Sequence, residues 1–460
     1  MGNKKNAWLK FDNTKKEEIF SFCEGYKKYI SDCKTERESI KEAIYLAESK
    51  GYRDLKNVIS AGKSLKAGDK VYYNNMDKSL ALFLIGSESI ESGMRIIGSH
   101  VDSPRLDLKP NPLYEDSELS LMETHYYGGV KKYQWVTIPL ALHGVVVKKD
   151  GTKIDVVVGE EETDPVVMVS DLLVHLASEQ QQKKATEVIA GEDLNILVGS
   201  MPLEGEEKEA VKANILKLLK EKYDFEEEDF MSAEIEIVPA GKARDLGLDR
   251  SMVAGYGHDD RICAYTSLLA LLETESTKKT SVVLLVDKEE VGSIGATGMQ
   301  SRFFENAVAE LMDRVGEYSE LKLRRALANS KMLSSDVTAA FDPNYAGAYE
   351  KKNSAFFGKG LAFAKYTGAR GKSGCNDANA EFVAWLRNVM DENDVSYQMA
   401  ELGKVDQGGG GTIAYILAEY GMEVIDCGVA LQNMHAPWEV ASKVDIYETM
   451  RGYKAFLIAE

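Results

Sequence analysis

Histidine is scarce in this chain, six among 460 residues, and cysteine scarcer still, five. Cys23, Cys33, Cys263, Cys375 and Cys427 are odd in number, scattered and without a CxxC pair, so neither a disulfide framework nor a thiolate zinc site is encoded. No run approaches 18 apolar residues, which leaves no candidate for a membrane-spanning helix. The opening MGNKKNAWLK lacks a long apolar core and carries Asn6 where a myristoylation signal needs Ser or Thr. Positive charge is in deficit too: 56 Lys and Arg against 74 Asp and Glu give a formal net charge of −18, a field that repels nucleic acid and anionic membranes. The expectation is a soluble, cytoplasmic chain in a reducing compartment, with no nucleic-acid or membrane partner.

What is present is the material for more than one core: 44% hydrophobic residues in a chain too long for a single one. Two amphipathic helices open it, with Thr14/Glu17 and Thr35/Glu38 as candidate capping boxes and Ile40, Ala43, Ile44 and Ala47 on one face. Strand-like runs follow at KVYYNN, SLALFLIG and MRIIGSH. From about residue 111 to 240 the pattern turns β-rich (WVTIPLALHGVVVKK, TKIDVVVG, SAEIEIVPAG) around a charged helix, EEKEAVKANILKLLKEKYDFEEED. Helix and strand then alternate to the end, through DRICAYTSLLALLE, SVVLLVD, DANAEFVAWLRNVM, SYQMAEL, TIAYILAEYG and MEVIDCGVAL. The predicted fold class is α/β: a central mixed sheet flanked by helices, formed by residues 1–110 and 241–460, with an inserted β-rich domain at 111–240.

Acidic and imidazole side chains gather at the carboxyl ends of the predicted strands, where open α/β sheets bind ligands. His100 and Asp102 follow MRIIGS; Asp287, Glu289 and Glu290 follow SVVLLV; Asp336 follows KMLSS; His435 comes after MEVIDCGVAL; Asp259 and Asp260 precede a helix. Asp102 either holds His100 for structure alone or orients its ring behind a metal. Adjacent Glu289 and Glu290 point in different directions, so one can bind metal while the other reaches a water. One of Asp259 and Asp260 is explained by helix capping, the other is not. If Asp259, Glu290 and Asp336 converge with neutral His100 and His435, three negative charges meet two divalent cations and a hydroxide, and the sum is zero. A ligand set of oxygen and nitrogen suits zinc, with cobalt or manganese as alternatives.

The motifs GSHVDSPRLDLKP, GHDDR, DKEEVGS, SSD with DPNY, and QNMHAPWE, in that order between about residues 98 and 439, resemble the M18 family of metalloaminopeptidases. The resemblance implies hydrolysis of N-terminal residues from peptides, acidic or neutral, by two divalent metal ions per subunit. It implies that His100 and Asp336 hold one metal, Glu290 and His435 the other, and that Asp259 bridges them. Glu289 then resembles the general base and Asp102 the carboxylate behind His100. It further implies a homo-oligomer, a tetrahedral dodecamer of dimers joined through the inserted domain, in which His175 of LLVHLAS reaches a neighbouring subunit's site. Lys365 in AFAKYTG stands where the family has a substrate-binding lysine, and Lys372 competes with it. After Asp336 the sequence reads VTAAFDPNY, where many members carry histidines.

Rival readings are an amidohydrolase or carboxypeptidase on the same dinuclear scaffold, or a non-catalytic assembly protein, which predicts at least one broken ligand position. GARGKS is not a phosphate-binding loop, because Gly368 and Gly371 are separated by two residues where four are required. DQGGGGT, residues 406–412, is read as a turn or an anion cradle before a helix, and GSIGATG, residues 292–298, as a tightly packed turn. His125, His143 and His258 are read as structural.

Overall fold

The computed structural model describes residues 5–460. The chain forms two compact units, Met1–Asp102 with Ala243–Met434 and Glu439–Glu460, and Ser103–Lys242 with His435–Trp438.

In the first unit the apolar runs become neighbouring strands of a nine-stranded mixed sheet. Ser281–Val286, Arg95–His100, Lys331–Ser335 and Glu423–Gly428 lie side by side and parallel at its centre. Ser79–Leu84 and Leu361–Ala364 flank them antiparallel. Every residue of SVVLLV and RIIGSH is buried, as a sheet covered on both faces requires. Alternation along the strands sorts the core into two layers. Ile97, Val283, Leu285, Leu333 and Ile425 face one cluster with the helices Glu36–Ser49, His258–Leu272, Ala380–Glu392 and Lys443–Ile458. Ile96, Val282, Leu284, Met332 and Val424 face the other with Leu55–Ser60, Phe303–Arg314, Glu320–Ala328 and Ala414–Ala418. Each such aliphatic side chain contributes roughly 1.5–3 kcal/mol on full burial. Gly98 is small for a reason of packing: a Cβ there would stand 2.7 Å from Met332 Cε and 3.0 Å from Ile413 Cδ1. This is the α/β arrangement of central mixed sheet and flanking helices expected from the sequence.

The second unit carries a seven-stranded sheet with Leu140–Val147, Ala233–Pro239, Arg105–Asp116 and Leu119–Tyr127 at its middle, all paired antiparallel. It starts at Ser103, earlier than the composition change at 111, because Arg105–Leu108 already pair with Thr124–Tyr127. The register of that pair shifts between Leu108 and Leu113, around Pro110 and Pro112, which cannot donate to a ladder.

Two local expectations change. Thr35 and Glu38 form the capping box, but the first helix, Asn13–Asp32, is capped by Asp12, whose Oδ1 accepts the Lys15 amide at 2.8 Å. Thr14 lies inside that helix. The charged helix of the second unit is shorter than its sequence run: it spans Ala210–Tyr223, and its first amides, of Val211 and Lys212, donate to Glu115 at 2.9 Å each. The acidic ends of the run fall outside it. No described helix is long and apolar enough to cross a membrane.

Candidate metal centre

Three neighbouring parallel strands end at the same level and deliver their acidic residues together. His100 closes Arg95–His100 and pairs in register with Val286, the residue before Asp287. Lys331–Ser335 runs beside it, with Ser334 opposite Gly98, and Asp336 follows. Asp259 and Asp260 come from the start of the helix His258–Leu272, where neither has helical dihedral angles and their shared peptide bond is cis. Asp260 does not act as a cap there: its Oδ1 has no hydrogen-bond partner among the described residues and its Oδ2 accepts the His100 amide.

His100 is buried to 2% exposure amid carboxylates. Its Nε2 stands 3.1 Å from Asp259 Oδ1, 3.8 Å from Glu289 Oε2 and 3.9 Å from Asp336 Oδ1. Ligand-type atoms of His100, Asp259 and Glu290 lie within 4.8 Å of one another, and so do those of His100, Asp260 and Asp336. Burial disfavours a charged imidazole here, yet Asp102, Asp259, Glu289 and Asp336 outweigh it and hold the His100 pKa well above the ordinary value. Burial, with Glu289, Asp259 and Asp426 nearby, pushes Asp336 well up in turn, against the opposing pull of His100. Burial likewise raises Asp260, helped by Asp336 and Asp259. A site that draws protons onto both its imidazole and its carboxyls is short of positive charge, and the donor chemistry fits a divalent cation.

The turn after Ser281–Val286 is set by backbone chirality. Lys288 (φ 71°) and Gly292 (φ 94°) take left-handed conformations on either side of the single turn Glu289–Val291. Asp287 fixes the entry, its Oδ1 accepting the Lys288 amide at 2.7 Å and its Oδ2 the Thr297 hydroxyl at 2.6 Å. Burial, then the charges of Glu36 and Asp102, push the Asp287 carboxyl up to about 6.

Asp102 has a wider role than the sequence revealed. It is fully buried, with Oδ1 3.3 Å from His100 Nδ1. The same oxygen accepts the Glu289 amide, and Oδ2 the Glu290 amide, each at 3.2 Å. The Asp102 main-chain carbonyl is the nearer partner of that Nδ1, at 3.0 Å. Backbone and carboxylate of Asp102 together orient the imidazole, while the carboxylate holds the backbone of both glutamates. Of two further contributors, the sequence marks Asp260 only as a candidate helix cap or unexplained acid and does not single out Glu439. Asp260 Oδ2 accepts the His100 amide at 3.3 Å. Glu439, 1% exposed, accepts the Asp259 amide at 3.1 Å; its position inside HAPWE, next to Trp438, was the available signal.

The remaining candidates are not among the ligand sets around His100. His435 belongs to the second unit, where its Nδ1 meets the Gly129 carbonyl at 3.0 Å. His175, also in the second unit, sits on an exposed turn among Leu172, Leu173, Val174 and Leu176, all exposed. Lys365 follows the strand Leu361–Ala364, which runs opposite to the three strands of the cluster, and its ammonium is 4.0 Å from Asp377. Lys372 takes the same Asp377 at 2.7 Å. Of the histidines read as structural, His258 is wholly buried, its Nδ1 2.5 Å from the Tyr26 hydroxyl, and burial lowers its pKa to about 3. His143 faces Glu160 at 3.0 Å, and His125 the Tyr126 carbonyl at 2.9 Å.

The family model described as aminopeptidase I zinc metalloprotease (M18) matches residues 29–457. A probable M18 family aminopeptidase 1 of Clostridium acetobutylicum is 66% identical over 98% of both chains. The crystal structure of aminopeptidase I from the same organism superposes with a TM-score of 0.93 at 65% identity, covering 99% of each chain. That of an M18 family aminopeptidase from Thermotoga maritima reaches 0.95 at 45% identity, again over 99% of each. With the sequence matched almost end to end and the fold shared throughout, the chain belongs to the M18 family of zinc metalloaminopeptidases, peptide hydrolases that remove N-terminal residues.

Proposed function

We propose that His100, Asp259, Glu289, Glu290 and Asp336 form the working centre of this aminopeptidase, together with His435, and that the centre holds two divalent ions, zinc first among the candidates. The observation that carries this is the convergence of ligand atoms around His100, within 4.8 Å of one another in two overlapping sets. His100 with Asp336, and Glu290 with His435, are the two ligand pairs, and Asp259 is the shared carboxylate. Asp259 suits the shared position better than Asp260, because it faces the His100 Nε2 while Asp260 is engaged with the His100 amide. When bound, such ions supply Lewis-acid polarisation of the scissile carbonyl and lower the pKa of water from about 15.7 towards 7.

The chain's own groups do the rest. Asp102 keeps the His100 Nδ1 occupied, so that Nε2 is the nitrogen available to metal. Glu289 Oε2, 3.8 Å from that Nε2, takes the proton of the attacking water and returns it to the leaving amine. The unprotonated N-terminus of the substrate is held beside the carboxylates. Exposed apolar residues around His175 support self-association through the second unit, on the pattern of a dimer within a dodecamer, with His175 serving a neighbouring subunit. Lys365 is assigned to the substrate side chain.

The test is a screen of p-nitroanilides of Asp, Glu, Leu, Lys and Ala, with N-acetylated controls and metal analysis of the same protein, and light scattering for the assembly. Cleavage of free but not acetylated substrates, with near two zinc ions per chain, is expected. Equal cleavage of acetylated substrates would refute the aminopeptidase reading, and one ion per chain at full activity would refute the two-ion centre.

A further inference from the structure

Arg95 and Lys331 open two neighbouring parallel strands, Arg95–His100 and Lys331–Ser335, and pair in register at the end of the sheet opposite the metal centre. Adjacent strands lie about 4.8 Å apart, so the two side chains leave the backbone side by side. They share a face as well: Ile97 and Leu333, two residues on, both belong to the core layer that contains Phe382 and Leu386 of the helix Ala380–Glu392. That helix carries Phe382 and Trp385 as stacked rings, 5.9 Å apart at 19°. The Arg95 Cζ lies 5.1 Å from the Trp385 ring centre, and the Lys331 Nζ lies 5.4 Å from the same ring and 5.1 Å from that of Phe382. Two like charges are thus gathered on one indole.

Aromatic faces attract cations but carry no counter-charge. Arg95 is only 4% exposed and its Nε is buried without a hydrogen-bond partner; neither side chain has an ion pair among the described residues. The nearest acids are turned to other groups. Glu423, in register with Lys331, accepts from the Asn379 side chain on both oxygens at 3.1 Å each, and Glu88 pairs with Lys279 at 2.8 Å. Burial lowers the Arg95 pKa against the pull of Glu88, and burial followed by the charge of Arg95 lowers that of Lys331 against the pull of Glu423. A buried guanidinium normally recovers its lost hydration from an anion, and none is supplied here by the chain itself. Lys331 and Trp385 are half-buried, so solvent reaches the pair from that side.

We propose that Arg95 and Lys331 form a binding site for a doubly charged oxyanion, inorganic phosphate or the phosphoryl group of a phosphate monoester, at the base of the sheet. A planar guanidinium matches two oxygens of a tetrahedral oxyanion, and the ammonium beside it supplies the second positive charge. A lone chloride would leave one of the two charges unmatched. The net charge of −18 does not forbid such a ligand, because at physiological salt exposed charges are screened beyond about 8 Å and the two cations decide at contact. The site stands apart from catalysis: Arg95 and His100 are the two ends of one strand, roughly 16 Å apart at about 3.3 Å per residue. It therefore adds a ligand to the protein without altering the aminopeptidase reading.

The experiment is titration calorimetry of the metal-loaded enzyme with inorganic phosphate, glycerol 3-phosphate or sodium chloride at constant ionic strength. The proteins are the wild type, K331Q, the charge-retaining K331R, and R95K, which keeps the charge and loses the fork. Leu-p-nitroanilide turnover without phosphate, expected to be unchanged, checks that each variant is folded. Phosphate should bind the wild type and K331R alike, with Kd raised about tenfold or more in K331Q, the weight of one charge-assisted contact, and raised in R95K as well. Phosphate held by the catalytic metals would show instead as inhibition of turnover that K331Q leaves in place. Tighter binding of glycerol 3-phosphate identifies a monoester as the source, and tighter binding of phosphate the free ion. No phosphate binding beyond that of chloride, or a Kd in folded K331Q and R95K within threefold of the wild type, would overturn the site while leaving the aminopeptidase reading intact.

Discussion

Replacing Asp102 by Asn changes little in volume and removes one acceptor from the centre. The carboxylate serves three groups: His100 Nδ1 at 3.3 Å and the amides of Glu289 and Glu290 at 3.2 Å each. Asparagine keeps one carbonyl oxygen and presents an NH2 group in place of the other, so one buried amide faces a donor. An unsatisfied buried N–H costs about 1–3 kcal/mol, which is about 5- to 150-fold in an equilibrium. Because the amides belong to the turn that carries both glutamates, the loss should fall on metal affinity, in the range of about 10–100-fold known for outer partners of metal ligands. The assay is Leu-p-nitroanilide turnover against buffered free zinc. Half-activation should move to about 10–100-fold higher zinc, with most turnover recovered at saturation. An unchanged half-activation point would refute the role given to Asp102, and a loss that no zinc concentration repairs would place Asp102 in the reaction itself.

Glu289→Gln should retain its metal content by elemental analysis and lose at least about 100-fold in turnover, the usual weight of a general base; undiminished turnover would remove Glu289 from that role. Chelation should abolish activity and lower the melting temperature, since unscreened carboxylates about 4 Å apart repel by about 4 kcal/mol at an effective dielectric of 20, and added zinc should restore both. Burial raises Asp426 from 3.8 to about 6, so the folded state binds its proton more tightly than the unfolded chain. Stability from this group is therefore present below pH 4 and lost as pH rises to 6, by roughly 3 kcal/mol; Asp426→Asn should gain on the wild type between pH 4 and pH 7 in urea midpoints. Thr35→Ala, which opens the capping box, should cost about 1 kcal/mol in the same measurement.

The sequence alone determined the chemistry of the strand ends and the class of fold. Apolar runs bounded by polar residues mark buried strands whatever their order, and acids placed just after such runs must lie at one edge of a parallel sheet, which is why His100, Glu290 and Asp336 were legible. Caps were legible only where one donor and one acceptor sit in a fixed local frame: Thr35 with Glu38 passed, while Asp12 displaced Thr14. Tertiary structure alone decided which contacts these residues make. That Asp102 holds two amides 187 and 188 residues away, that Asp260 accepts the amide of His100 instead of capping a helix, and that Glu439 braces Asp259 are results of register and burial across strands. The same holds for the meeting of GARGKSG with DQGGGGT: a Cβ on Gly409 would lie 2.4 Å from Ala369 Cα, so only the approach of the other loop makes its missing side chain a requirement.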